Sequence, residues 1–272
     1  MLVNGKAGNL ISIRDRGLLY GDGVFRTLRG EQGRPLHWPL HYQKIQHDCN
    51  ALGIACPDYA RLSAELAGLL ADHPDGVFKL IVTRGQAKRG YAPSPQTIPL
   101  HIWDVAPVPE YPASWALQGV TLALCELRLA WQPRLAGIKH LNRLENVLAA
   151  AEIVGLGDSV AEGLLLDADD NVIEGTRSNV FLISGGRLIT PDLARCGVAG
   201  VQRDRVMAYA GEIGMAVEVR DVKLDELRGA DEVFLSSSVF GLWSVSRFEQ
   251  QQWTGLDYVL RIRAGLAGEV NA

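Results

Sequence analysis

The sequence predicts an α+β protein of two domains: a small α/β N-terminal domain and a larger barrel-like β domain with helices. Three observations carry that expectation. A length of 272 residues suits one large or two smaller domains, at roughly 100–200 residues each. The first third alternates β-rich runs with two segments of helical apolar spacing. Beyond a proline cluster, short strands and close hairpins dominate, which argues for a largely antiparallel barrel.

The elements follow in order. Asn4-Gly5 is a type I′ hairpin signal between short apolar strands. The run from Arg14 to Arg29 ends in a strand, stopped by Gly30 and a turn near Gln32-Gly33. Leu40, Ile45, Cys49 and Leu52 space as one helix face within residues 37–52. Pro57 can open a second helix carrying Leu62, Leu66 and Leu69. Residues 77–83 and 100–105 are β-rich. Pro107, Pro109 and Pro112 cannot continue a helix or a central strand, so they mark a linker. The expected division is therefore 1–106, a linker at 107–116, and 117–272. In the second part, a β-run at 120–129 precedes a helix over 140–154. Hairpins follow near 167–171 and at Gly185-Gly186. A helix over 201–213 stops at Gly214. A strand at 216–219, a short helix at 224–227 and a strand at 232–235 complete the pattern.

Composition excludes several function classes. Hydrophobic residues at 47% and charged residues at 21% rule out a disordered or collagen-like chain. A formal charge of −4 gives no general pull toward nucleic acid or an anionic membrane. No leader-like N-terminus and no run of about 18 apolar residues is visible. The expectation is a soluble, reduced, cytoplasmic protein. Cys49, Cys56, Cys125 and Cys196 form no CxxC pair, and the six histidines show no metal-ligand spacing, so no metal is expected. Gly21-Asp22-Gly23 lacks the third glycine of a dinucleotide fingerprint, because Arg26 stands there. No GxxxxGK[ST], HExxH or GxSxG motif occurs. A bound organic cofactor is then the economical source of difficult chemistry.

Any lysine-dependent chemistry must use Lys6, Lys44, Lys79, Lys88, Lys139 or Lys223. Lys139 lies between an apolar stretch and an amphipathic helix. Partial desolvation there favours a neutral, nucleophilic amine; alternatively its stem packs while its head reaches solvent. Glu174 sits at a strand end before small and polar residues, where it could pair with a pyridinium nitrogen or merely flank a turn. Gly197 to Arg203 opens a helix with little side-chain bulk, so its N–H groups could hold a phosphate. Ser236, Ser237 and Ser238 add hydroxyls after a strand, although a serine run is also a common turn.

Four runs in order carry a resemblance that covers essentially the whole chain. They are Asp15-Arg-Gly-Leu-Leu-Tyr-Gly-Asp-Gly-Val-Phe25, Thr83-Arg-Gly with Arg89-Gly-Tyr91, Leu135-Ala-Gly-Ile-Lys-His-Leu-Asn-Arg-Leu-Glu145, and Glu174 with Asn179-Val-Phe181. Together they resemble the fold-type IV (branched-chain aminotransferase-like) pyridoxal 5′-phosphate enzymes. The first and fourth suggest the fold type in general. The second and third are similar to its lyases acting on 4-amino-4-deoxychorismate.

The resemblance implies pyridoxal 5′-phosphate as cofactor. It implies Lys139 as the Schiff-base lysine and Glu174 as partner of the pyridine nitrogen. Val201 and Gln202 would hold the phosphate through backbone N–H groups, and Ser238 through its hydroxyl. Where the family has an HxxRL helix with its Arg on the phosphate, this chain has His41-Tyr-Gln-Lys44-Ile45. Lys44 can supply charge there but not a bidentate fork. Arg89 and Tyr91 match carboxylate-holding positions, and Thr27 resembles an active-site hydroxyl. Strand alternation puts Arg29 on the face of Thr27 and Arg26 on the opposite face. The implied reaction yields 4-aminobenzoate and pyruvate, supports folate synthesis and returns the cofactor unchanged. A homodimer with its site between the two domains is implied too. A D-amino-acid or branched-chain-type aminotransferase would use the same cofactor residues. A non-enzymatic ligand-binding or scaffold protein is the remaining alternative, and the joint presence of Lys139 and Glu174 argues against it.

Overall fold

A computed structural model describes residues 1–94, 96–157 and 159–268. The chain divides into two units. The first comprises Met1–Pro109 and the returning segment Ile138–Asn142; the second comprises Glu110–Gly137 and the chain from Arg143 onward.

The first unit begins with β1 (Leu2–Val3) and β2 (Lys6–Ala7) around Asn4 and Gly5, whose φ values of 50° and 79° are those of a type I′ turn. Then follow α1 (Arg16–Tyr20), β3 (Gly23–Glu31), β4 (Arg34–Pro35), α2 (Trp38–Ala51), α3 (Tyr59–Asp72), β5 (Gly76–Thr83) and β6 (Leu100–Ala106). The sheet order is β2-β1-β6-β5-β3-β4. Strand alternation gives it two faces. Val24, Leu28, Phe78, Leu80, Val82 and Trp103 are buried against Ile45 and Cys49 of α2 and Leu62, Leu66 and Leu70 of α3. The other face carries Phe25, Thr27 and Arg29, opposite Ile81, Lys79 and Val77 of β5. Asp58 caps α3 by accepting the N–H groups of Ala60 and Arg61.

The second unit contains α4 (Ala113–Gln118), β7 (Val120–Leu129), α5 (Leu144–Val154), β8 (Glu162–Asp167), β9 (Val172–Gly175), β10 (Asn179–Ser184) and β11 (Arg187–Pro191). It continues with α6 (Val201–Glu212), β12 (Val217–Arg220), α7 (Leu224–Arg228), β13 (Glu232–Ser237), β14 (Gly241–Phe248), β15 (Gln251–Gln252) and α8 (Asp257–Gly268). The order β10-β13-β14-β7-β8-β9 closes on itself through the β9–β10 pairing, giving a six-stranded barrel; β11 and β12 extend it beyond β10. The barrel is less antiparallel than its hairpins suggest: β14–β7, β7–β8 and β11–β12 are parallel. Parallel neighbours need a long crossover, and α5 and α6 supply two of them. Val180, Leu182, Leu164, Leu166, Leu235 and Trp243 pack the main core.

Two local differences from the sequence reading have physical causes. Residues 113–118 of the proline-rich region form α4, because Pro112 sits at the helix start, where no N–H is needed. The helix expected over 140–154 begins only at Leu144, because residues 138–142 run extended along β3. No helix among the described residues is long and apolar enough to cross a membrane.

Candidate active site

Lys139 is half-buried in the returning segment of the first unit. Its carbonyl accepts the Phe25 N–H at 2.9 Å, and Leu141 N–H donates to Gly23 O at 3.0 Å. The Lys139 N–H donates to Asp48 Oδ2 of α2 at 3.2 Å. Asp48 is fully buried, and the same Oδ2 accepts Arg26 Nη2 at 2.5 Å. Nζ of Lys139 and Nζ of Lys79 each lie 4.8 Å from the centre of the Phe25 ring. Thr27 and Arg29 share the Phe25 face, as the pleat requires, while Arg26 is buried on the helix face. Arg29 pairs with Glu31 at 2.7 Å. Lys44 is half-buried on α2, one turn before Asp48. The structure thus brings Lys139, Thr27, Phe25 and Lys79 to one sheet face.

Arg89 and Tyr91 lie on the exposed loop after β5 rather than on that face. The loop is anchored by the first family-like run. Arg16 donates to the carbonyls of Gly90 (2.9 Å) and Tyr91 (2.6 Å), and the Tyr20 and Tyr91 rings are 5.3 Å apart. Asp22 accepts Arg16 Nε at 2.7 Å and Arg84 Nε at 2.8 Å. Burial would raise the Asp22 carboxyl, but the hydrogen bonds and charges of Arg84 and Arg16 outweigh it and hold it below the usual range. Asp15 caps α1 at Gly17 N–H and accepts Thr83 Oγ1 at 2.9 Å. These contacts explain why two separated runs of the sequence read as one pattern.

In the second unit, Glu174 is buried on β9 and its Oε2 accepts the Val198 N–H at 2.8 Å. Asn179, opposite Glu174 in the ladder, donates to Val198 O at 2.8 Å and accepts Gly200 N–H at 3.1 Å. Two side chains therefore fix the segment that leads into α6. Gly197 has φ 85°, and a Cβ there would meet Ile173 Cγ2 at 2.8 Å, so glycine is required. Gly200 leaves α6 without a side-chain cap, so the first-turn amides of Val201 and Gln202 point out of the helix start. Ser238 is half-buried in the turn after β13. Ser236, paired with Asn179 across the ladder, has a buried Oγ with no hydrogen-bond partner among the described residues. Burial and the charges of Asp167 and Glu174 push the Cys196 thiol up to about 12, so it stays protonated.

The sequence offered Ser236 only as one of three serines and Lys79 only as one of six lysines, and it gave no sign of Asp48. Asp48 and Lys79 carry no local signal, because their partners are brought by other elements. Composition does not rank the three serines; the resemblance picks Ser238, and the ladder register adds Ser236.

The amino-transferase class IV family model matches residues 23–248. The chain resembles the crystal structure of 4-amino-4-deoxychorismate lyase from Pseudomonas aeruginosa, with a TM-score of 0.94 and 44% identity, covering 100% of this chain and 99% of that one. It is 37% identical to the aminodeoxychorismate lyase of Vibrio harveyi over 90% of this chain and 89% of that protein. It is 28% identical to the D-alanine aminotransferase of Bacillus licheniformis, over 89% of this chain and 84% of that one. The match spans both the sheet face bearing Lys139 and the barrel bearing Glu174, and the chain belongs to the amino-transferase class IV family.

Proposed function

We propose that this protein is a pyridoxal 5′-phosphate-dependent carbon–oxygen lyase that converts 4-amino-4-deoxychorismate to 4-aminobenzoate and pyruvate, a step in folate synthesis. The observation that carries the reading is the 44% identity to a 4-amino-4-deoxychorismate lyase across the full chain. The residues fit the cofactor. Glu174 is a buried carboxylate with one oxygen already oriented by a backbone N–H. The uncapped start of α6 and the orphaned Ser236 Oγ are donors suited to a phosphate. In this reading the Val201 and Gln202 amides, Ser238 and Lys44 would hold the phosphate, and Lys139 would be the amine that takes the cofactor aldehyde.

When bound, the cofactor supplies an electron sink for the carbanion left by proton removal. Lys139 Nζ, displaced from the cofactor by the substrate's amine, would take the proton from C4 of the substrate. Glu174 would hold a proton at the pyridine nitrogen, and that cationic partner would offset the cost of burying its carboxylate. Thr27 Oγ1, on the Lys139 face, would relay the C4 proton from Lys139 Nζ to the ether oxygen leaving C3, so that both residues end as they began. The C3–O bond breaks, the ring becomes aromatic, and the enol departs as pyruvate. Arg89, Tyr91 and Arg29 are assigned to the substrate carboxylates, with the Lys79 ammonium as a further cation beside Phe25.

We also propose a cytoplasmic homodimer. α5 exposes Leu144, Val147, Leu148 and Val154 as one stripe, which a second copy would cover.

The reading is tested by following 4-aminobenzoate release from 4-amino-4-deoxychorismate by wild type and Lys139→Ala. Wild type turns over. The variant loses at least about 10³-fold, the scale of removing a covalent and proton-transferring group. An active Lys139→Ala protein overturns the assignment.

A further inference from the structure

We propose that Asp48 and Arg26 are positioning residues for Lys139, fixing its main chain through one buried carboxylate oxygen. The inference rests on the reading of Lys139 as the cofactor-bonding lysine. Residues 138–142 belong to the first unit and form no helix of their own. β3 secures the segment at Phe25 N–H to Lys139 O and at Leu141 N–H to Gly23 O. The amide of Lys139 itself turns to α2 and donates to Asp48 Oδ2 at 3.2 Å. That oxygen also accepts Arg26 Nη2 at 2.5 Å. Arg26 directly follows Phe25, whose ring lies 4.8 Å from Lys139 Nζ. A helix, a strand and the lysine segment therefore meet at one atom. Asp48 Oδ1 is 3.3 Å from Nδ1 of the largely exposed His47 side chain.

A buried ion pair is a poor stabiliser: an apolar pair of similar volume often does as well. An apolar pair cannot accept the Lys139 amide. A lysine side chain is long and flexible, so the placement of its amine depends on where the main chain is held. Misplacement of a reacting group by about 1 Å can cost on the order of 10²-fold in rate. The Asp48 carboxylate anchors Lys139, and Arg26 orients that carboxylate.

Two double variants separate anchoring from packing. Arg26→Met with Asp48→Leu removes both charges and the acceptor. Arg26→Met with Asp48→Asn removes the charges but keeps an acceptor oxygen. Deuterium exchange at the Lys139 amide, resolved by fragmentation mass spectrometry on cofactor-free protein, reads the contact without turnover. The leucine pair should melt near wild type, exchange about tenfold faster at Lys139, as loss of one hydrogen bond allows, and lose about tenfold in kcat with KM little changed. The asparagine pair should recover protection and most of kcat. Wild-type exchange and kcat in the leucine pair, or an asparagine pair no better than the leucine pair, overturns the proposal. If the leucine pair does not fold, Asp48→Ala against Asp48→Asn with Arg26 intact reads the same contrast. An active Lys139→Ala protein would sink the reading of the lysine, while the exchange result would still decide the contact.

Discussion

Glu174 shows how much one residue's surroundings decide. Its Oε2 is committed to the Val198 amide, so the carboxylate cannot swing away. Glu174→Gln keeps the shape and removes the charge. It should leave the melting temperature nearly unchanged but lower kcat by about 10²–10³-fold, the range for losing a preorganised electrostatic contact, and it should alter the bound cofactor's absorbance. Unchanged rate and spectrum would contradict the role. The neighbouring backbone is equally constrained. Gly197→Ala would place a methyl 2.8 Å from Ile173 Cγ2 and 2.9 Å from Leu193 Cδ2 at φ 85°. It should cost about 1–3 kcal/mol and weaken cofactor binding, measured by denaturant melts and cofactor titration; a neutral Gly197→Ala would contradict the fixed Val198 amide. The sequence placed Glu174 at a strand end, where the structure has it buried on β9, but local pattern left its role open and the family resemblance alone suggested it. Asp48 was not legible, because its partners Arg26 and Lys139 come from other elements.

Among the elements, the loop bearing Arg89 and Tyr91 depends on α1 and β5 through Arg16, Asp22 and Arg84. Asp22→Asn should loosen it, raising KM for the substrate several-fold while the cofactor spectrum stays intact. It should also lower stability by about 1–3 kcal/mol, the range for disrupting charged hydrogen bonds. The pH dependence follows from the depressed Asp22 carboxyl. A depressed carboxylate stabilises fully above its unfolded value of about 3.9, and that contribution fades as pH falls through the lower folded value. The stability gap between wild type and Asp22→Asn should hold from pH 5 to 8 and shrink in stronger acid, read from denaturant midpoints. A gap that widens in acid would contradict the clamp. At this scale α2, α3 and β3 were readable from apolar periodicity and turn residues. The parallel strand pairs were not, since alternation along a strand does not say which neighbour it meets.

Across the whole molecule, the sequence pattern anticipated two regions of different architecture, and the structure adds one long-range fact. The segment 138–142 returns to the first unit after the barrel has begun, an excursion that no local composition marks. The proposed dimer is tested through α5: Val147→Glu with Leu148→Glu should convert the native assembly to monomer in light scattering, and an unaltered mass would contradict the proposed interface. The family contains both lyases and aminotransferases, as the relatives of this chain illustrate, and cofactor residues alone do not separate them. The direct measurement is multiple turnover of 4-amino-4-deoxychorismate by purified protein holding pyridoxal 5′-phosphate, with no 2-oxo acid added. A lyase releases 4-aminobenzoate and pyruvate in equal amounts over many cycles. A reaction that stops after about one equivalent and resumes only when a 2-oxo acid is supplied would contradict it and identify an aminotransferase.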